Sequence, residues 1–154
     1  MSSKLALNLT KNYSINFDVP KRTKKKIIFI ILHYTGMKKE SEAIKKLCDH
    51  KSKVSAHYLI KYSGEVLCLV PDLYTAWHAG ESSWKNFRSI NKYSIGIEIS
   101  NPGHNYGYKK FNSKQIGSLT KLLRYLLRKY NIKKQNVLAH SDIAPNRKKD
   151  PGEK

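Results

Sequence analysis

Two histidines and an aspartate draw attention through their positions. His33 follows directly on the apolar run Ile27–Leu32, and His140 follows directly on Asn136–Ala139. Asp150 closes the polar stretch Ser141-Asp-Ile-Ala-Pro-Asn-Arg-Lys-Lys-Asp150. Two imidazoles and one carboxylate make a three-ligand zinc site with the fourth position left for water, the catalytic pattern; structural zinc sites are closed by four protein ligands. The competing reading is that each strand-end histidine is simply hydrogen-bonded within the fold. Glu98 adds a fourth group, set in the strand-like stretch Ser94-Ile-Gly-Ile-Glu98-Ile. Burying a carboxylate there is costly unless it is paired or functional. Desolvation would also raise its pKa into the range useful for a general base. The competing reading puts Glu98 on a solvent face, since it shares one side of the strand with Gly96.

This chemistry needs a frame. Ile27–Leu32, continuous and β-branched, predicts a strand covered on both faces. Ser41–Lys51 predicts a short helix capped by Ser41, with Ile44 and Leu47 turned inward. Ala56–Lys61 and Glu65–Val70 flank the turn Tyr62-Ser63-Gly64 and predict a hairpin. Ser94–Ile99 is a further strand and Asn136–Ala139 the last, with a polar loop after it. Ser113–Tyr130 is the clearest helix, its apolar stripe formed by Ile116, Leu119, Leu122, Leu123, Leu126, Leu127 and Tyr130. The predicted fold is α/β: one domain with a central mixed β-sheet flanked by helices. Its site is expected at strand ends, where such sheets aim residues into a crevice. Residues 1–26 carry seven lysines and arginines against Asp18 alone and read as a basic lead-in arm closed by Pro20, leaving 27–154 as the folded domain.

Composition narrows the function classes. The chain has 154 residues, enough for one domain with a real core, and its 40% apolar share argues against disorder. The longest apolar run, Ile27–Leu32, is far short of the ~20 residues that span a bilayer. No secretory signal is evident near Met1, which predicts a cytoplasmic location, the alternative being a periplasmic one or export by a route not visible in the sequence. Cys48 and Cys68 lie outside any C-x-x-C spacing and read as buried thiols rather than a disulfide or a thiolate metal site. No coiled coil is visible, and a monomer is expected. The net charge is +19. Such an excess fits nucleic acid, an anionic surface or an anionic substrate. A nucleic-acid binder is the less favoured reading, because no recognised motif for it appears and the charge is spread along the chain.

Five motifs then occur in order: His33-Tyr34-Thr35, Val54-Ser-Ala-His57-Tyr-Leu-Ile60, Ala76-Trp-His-Ala-Gly80, Asn91-x-x-Ser94-Ile-Gly-Ile-Glu98, and His140-Ser-Asp-Ile-Ala-Pro-x-Arg147-Lys148-x-Asp150-Pro-Gly152. Together they closely resemble the zinc-dependent N-acetylmuramoyl-L-alanine amidases of the type-2 amidase family, over roughly residues 27–152. Muropeptide-recycling amidases, phage lysozyme-amidases and peptidoglycan recognition proteins are relatives in that family.

The resemblance implies hydrolysis of the amide between the lactyl group of muramic acid, or its anhydro form, and L-alanine, with peptidoglycan or muropeptide as substrate. It implies one zinc ion held by His33, His140 and Asp150, with Glu98 and Lys148 as catalytic residues. Trp77, His78 and Asn91 match positions that line the substrate groove, and His57 is read as structural. Phage relatives carry a tyrosine one residue before that histidine; Ala56 stands here, which leaves the proton work to Glu98. His50 and His104 match no motif and are expected to be solvated. The chain stops at Lys154, where relatives usually continue, so a truncated end and a frayed Asp150 are expectations. A peptidoglycan-binding protein that does not cut is the alternative from another class; such proteins typically lack one zinc ligand.

Overall fold

The computed structural model describes residues 13–153. In chain order the elements are β1 (Phe17–Asp18), β2 (Phe29–Tyr34), α1 (Glu40–Cys48), β3 (Tyr58–Ile60), β4 (Val66–Cys68), β5 (Thr75–Ala76), β6 (Ser83–Trp84), β7 (Phe87–Arg88), β8 (Ser94–Ile99), α2 (Ser113–Tyr130), β9 (Val137–Ala139) and α3 (His140–Ile143). Five strands form one sheet in the order β4-β3-β8-β2-β9, and all neighbours are parallel except the β3–β4 hairpin. This is the mixed α/β sheet expected from the sequence.

Alternation sorts the side chains of the parallel strands between two faces. Ile95, Ile97 and Ile99 of β8, with Ile30 of β2, pack against Leu122 and Leu126 of α2. That helix begins in a capping box: Asn112 accepts from the Gln115 amide, and the Gln115 side chain returns to the Asn112 amide. Ile116 is an exception to the predicted stripe, being exposed. Gln115 takes the inward place beside it and donates to the Ser100 carbonyl.

The opposite face carries Phe29, Ile31 and His33 on β2 and Gly96 and Glu98 on β8. Two separate apolar groups cover it. Leu47 on α1 packs with Leu59, Leu67 and Leu69 over β3 and β4. Ala79, Ile90 and Ile143 pack with Phe29, Ile31 and Leu138 over β2 and β9. A cavity of about 530 Å³ opens at this face, lined from both sides.

Several boundaries differ from the sequence reading. β2 starts and ends two residues later than expected, and because it runs on to Tyr34, His33 lies within the strand and not after it. α1 begins at Glu40, with Ser41 inside the helix. No side chain caps that start, and acidic Glu40 and Glu42 occupy the first turn, where the helix dipole favours them. Asp49 ends it and caps the following 3-10 turn by accepting from the Lys51 amide. The stretch after β9 opens as the short helix α3. Cys68 is buried and Cys48 half-buried, and no disulfide joins them.

Part of the predicted arm is built into the domain. β1 pairs antiparallel with β5, and the buried Asn16 side chain donates to the carbonyls of Asp49 and Val54. Buried Arg22 donates to the carbonyls of Asp72 and Asn91. Residues 1–12 of the arm lie outside the described residues.

Candidate metal centre and active site

Parallel pairing puts His33 directly beside Glu98 in register, and β9 delivers His140 at the same end of the sheet. The loop after α3 returns Asp150 to this end, where the Ser141 amide donates to the Asp150 carbonyl at 3.0 Å. The residue carrying the carboxylate is therefore tied down and buried rather than frayed. Gly152 follows with φ of +86°, and a Cβ there would lie 2.3 Å from the Tyr108 ring, so only glycine fits the close approach.

His33, His140 and Asp150 are all buried, and one ligand atom from each lies within 4.8 Å of the others. His33 Nδ1 is 2.9 Å from His140 Nδ1, and Asp150 Oδ2 is 3.1 Å from the first and 3.0 Å from the second. His140 Nε2 lies 3.1 Å from the Ala79 carbonyl, to which it can only donate. With Nε2 donating, the tautomer that carries its single hydrogen there leaves Nδ1, 3.0 Å from Asp150 Oδ2, as the atom that could ligate a metal. Acceptors converging this closely call for a cation, and two nitrogens with one oxygen suit zinc. A tetrahedral ion with bonds of about 2.0–2.1 Å holds its ligands about 3.3 Å apart, close to the spacing here. The residues present fit a metal.

Glu98 lines the cavity beside this cluster, half-buried, with Oε2 enclosed and without a hydrogen-bond partner among the described residues. Burial, reinforced by the Asp150 charge, raises its carboxyl well above the ordinary range, and Lys148 and Lys46 oppose the shift. Burial works in the same direction on Asp150, but in the metal-free chain hydrogen bonds donated by the His140 and His33 rings, with their charge, outweigh it and hold that carboxyl below its ordinary value. The result is two neighbouring carboxyls pushed apart in basicity, the pattern expected where one binds a cation and the other handles protons. Lys148 is half-buried in the cavity wall.

The three positions matched to the substrate groove have distinct surroundings. Trp77 lines the cavity, and its indole N–H donates to Asp18 of β1 at 2.8 Å. Asn91 Oδ1 accepts from the backbone amides of His78 and Ala79. His78 is buried, with both ring nitrogens engaged by His33 and Ser94. Lys46 and His104, also in the cavity wall, were not singled out from the sequence. His104 is not solvated as expected: it stacks on Tyr108 and bonds the Tyr34 hydroxyl at 3.0 Å. Lys46 stands next to Lys45 in α1, and nothing in the local sequence distinguishes the two. His50, by contrast, is exposed.

His57 is fully buried behind the site. Its Nδ1 accepts from the Gly96 amide and its Nε2 faces the Tyr74 carbonyl. Burial, helped by the Arg22 charge, pushes its pKa down to about 3. In the unfolded chain it would titrate near 6.5, so falling pH protonates the unfolded state first. Its contribution is intact above pH 6.5 and declines from there to about pH 3, by about 1.4 kcal/mol per pH unit. Thermal melts of chelator-treated protein between pH 7 and 4 should show this decline, and His57→Gln should flatten it. An equal slope in both proteins would remove His57 from the account.

Among the described residues no helix is long and apolar enough to cross a membrane. The family model for N-acetylmuramoyl-L-alanine amidases matches residues 23–153. The amidase AmiD of Escherichia coli K12 is 38% identical over 139 residues, which are 82% of this chain and 49% of AmiD. The structure of AmiD in complex with anhydro-N-acetylmuramic acid-L-Ala-D-γ-Glu-L-Lys superposes with a TM-score of 0.76 at 34% identity, covering 88% of this chain and 56% of that one. AmpDH3 of Pseudomonas aeruginosa, in complex with anhydromuramic pentapeptide, gives 0.76 at 32%, covering 94% and 62%. The chain spans about half the length of the curated relatives it matches. With the match running through all the site residues described above, the chain belongs to the N-acetylmuramoyl-L-alanine amidase family.

Proposed function

We propose that this chain hydrolyses the amide between the lactyl group of N-acetylmuramic acid, or its anhydro form, and the L-alanine of a muropeptide or peptidoglycan stem, using one zinc ion held by His33, His140 and Asp150. The observation that carries the reading is the convergence of those three ligand atoms beside Glu98, a carboxylate with an unpartnered oxygen, in one cavity. Its volume of about 530 Å³ lies within the range of small-molecule sites. The anhydromuramyl peptides bound by AmiD and AmpDH3 support the substrate class. A binding-only relative would be expected to lack a ligand, and the proximity of His33, His140 and Asp150 supports the cutting reading instead.

When bound, zinc lowers the pKa of a coordinated water towards ~7 and polarises the amide carbonyl. Glu98 then has two tasks. It accepts the proton of the attacking water, for which its raised basicity suits it, and delivers that proton to the departing alanine nitrogen. Lys148 donates to the carbonyl oxygen as negative charge gathers there. A donor in such a position is typically worth about 2.7–4 kcal/mol. Lys148→Ala should therefore lower kcat by roughly 10²–10³-fold with little change in KM. A loss seen in KM alone would instead make Lys148 a substrate-binding group.

The function is tested by mass spectrometry of a muropeptide mixture incubated with the chain and zinc, beside a chelated control. Release of stem peptide beginning with L-alanine, abolished by chelation, is the expected result. Intact muropeptides in the presence of bound zinc would refute the amidase reading for this chain.

A further inference from the structure

Behind His33 a line of hydrogen bonds runs away from the cavity. Ser94, fully buried at the start of β8, has one hydroxyl proton and gives it to the Ile90 carbonyl at 2.8 Å. Its oxygen is then the acceptor for His78 Nε2, 3.1 Å away, so that nitrogen carries a hydrogen. The His78 ring is buried and edge-on to the rings of His33 and His57. A neutral ring with its hydrogen on Nε2 presents a lone pair at Nδ1. That lone pair lies 3.0 Å from His33 Nε2, which must donate to it. His33 in turn is left with a bare Nδ1, the atom that faces His140 and Asp150.

Two further contacts hold the relay in place. Asn91 Oδ1 pins the backbone amides of His78 and Ala79, and the Ala79 carbonyl receives His140 Nε2. Both imidazoles of the site are thus oriented by consecutive residues of one segment. Gly96 forms the floor on which the His78 ring sits: a Cβ at Gly96 would fall 2.4 Å from His78 Cγ, closer than real Cβ contacts come. The requirement here is for space; the Gly96 main chain is meanwhile held by His57, its amide donating to His57 Nδ1 and its carbonyl accepting from the His57 amide.

We propose that His78, anchored through Ser94 to the Ile90 carbonyl and seated on Gly96, is the positioning residue that fixes the tautomer and ring angle of His33, presenting Nδ1 to the metal. This rests on the reading of His33, His140 and Asp150 as metal ligands. Outer partners of ligating imidazoles are commonly carboxylates, backbone carbonyls or water. His140 follows that pattern through Ala79, whereas His33 uses a second imidazole.

The test is zinc affinity of the full chain, measured by competition with a chromophoric chelator and without substrate. Loss of such a partner typically costs 10–100-fold in metal affinity. His78→Leu should show a loss of that size while circular dichroism reports a folded chain. His78→Asn, whose side-chain oxygen can accept from His33 Nε2, should recover most of it. Ser94→Ala should lose less, and Gly96→Ala should resemble His78→Leu because the ring is displaced. In zinc-loaded protein the His33 Nε2 proton should give a protected signal in nitrogen-edited NMR spectra that is absent from His78→Leu. A merely structural role for His78 would leave both that signal and the affinity unmoved.

A folded His78→Leu protein with wild-type zinc affinity overturns the proposal. Should that variant not fold, Ser94→Ala decides, since it removes a single hydroxyl, and unchanged affinity there has the same force. A wild-type chain that binds zinc through this relay but cleaves no muropeptide would overturn the amidase reading and leave the relay standing.

Discussion

Glu98→Gln is expected to lower turnover by roughly 10²–10⁴-fold, the range over which a positioned acid–base group contributes, while zinc binding stays stoichiometric. The substitution preserves side-chain volume and removes the ability to take a proton. It also removes a carboxyl whose ionised form is opposed by burial and by Asp150. The thermal midpoint should therefore be no lower than that of the wild type. Higher or equal stability, retained metal and lost activity form a combined signature that a folding defect would not produce. Turnover measured on a soluble muropeptide, beside zinc quantified by atomic absorption, checks all three. Wild-type-like turnover in Glu98→Gln, or in the harsher Glu98→Ala, would take Glu98 out of the mechanism.

His140→Ala should lose metal and activity together. Its Nδ1 is one of the three ligand atoms that converge among the described residues. Its removal should cost more than the 10–100-fold typical of an outer partner such as His78. It also leaves the buried Ala79 carbonyl without one of its donors, although Arg147 still reaches that oxygen. Zinc content after dialysis against buffer at micromolar free metal gives the readout. Stoichiometric zinc in this variant would show that the ligand set is wrong.

Much of the frame was legible in the residues. β8 could be delimited from its alternation, because three isoleucines on one side and Gly96 and Glu98 on the other leave one arrangement over a helix-packed sheet. α2 was equally plain from its stripe, except at Ile116, where periodicity cannot reveal that Gln115 has a carbonyl to meet. Other features depend on partners distant in sequence. The burial of Asn16 and Arg22 is set by carbonyls far along the chain, at Asp49, Val54, Asp72 and Asn91. A local reading of a lysine-rich segment could not anticipate it.

The site was legible to a similar depth. Strand-end positions and the motif spacing pick out His33, His140, Asp150 and Glu98, and the fold brings all four to one end of the sheet. The surroundings of His78 and Asn91 were not accessible in this way. Whether a motif histidine faces a ligand or another side chain depends on ring direction, and Asn91 acts through the backbone of a segment more than ten residues earlier. Gly96 was the available clue. A glycine inside an otherwise isoleucine-rich strand marks the close approach of something bulky, here an imidazole.

The pairing of His33 with Glu98 across β2 and β8 has a consequence for how this chain can vary. Neighbouring strands lie about 4.8 Å apart, and that interval, set by main-chain bonds, spaces Glu98 from His33. Side-chain adjustment plays little part in it. A single-residue insertion in either strand would turn one of the pair into the helical layer, and a two-residue slip would carry it about 6.6 Å along the sheet. The sheet thus serves as a ruler, so variation in this chain should accumulate as loop insertions and substitutions while the lengths of these two strands stay unchanged.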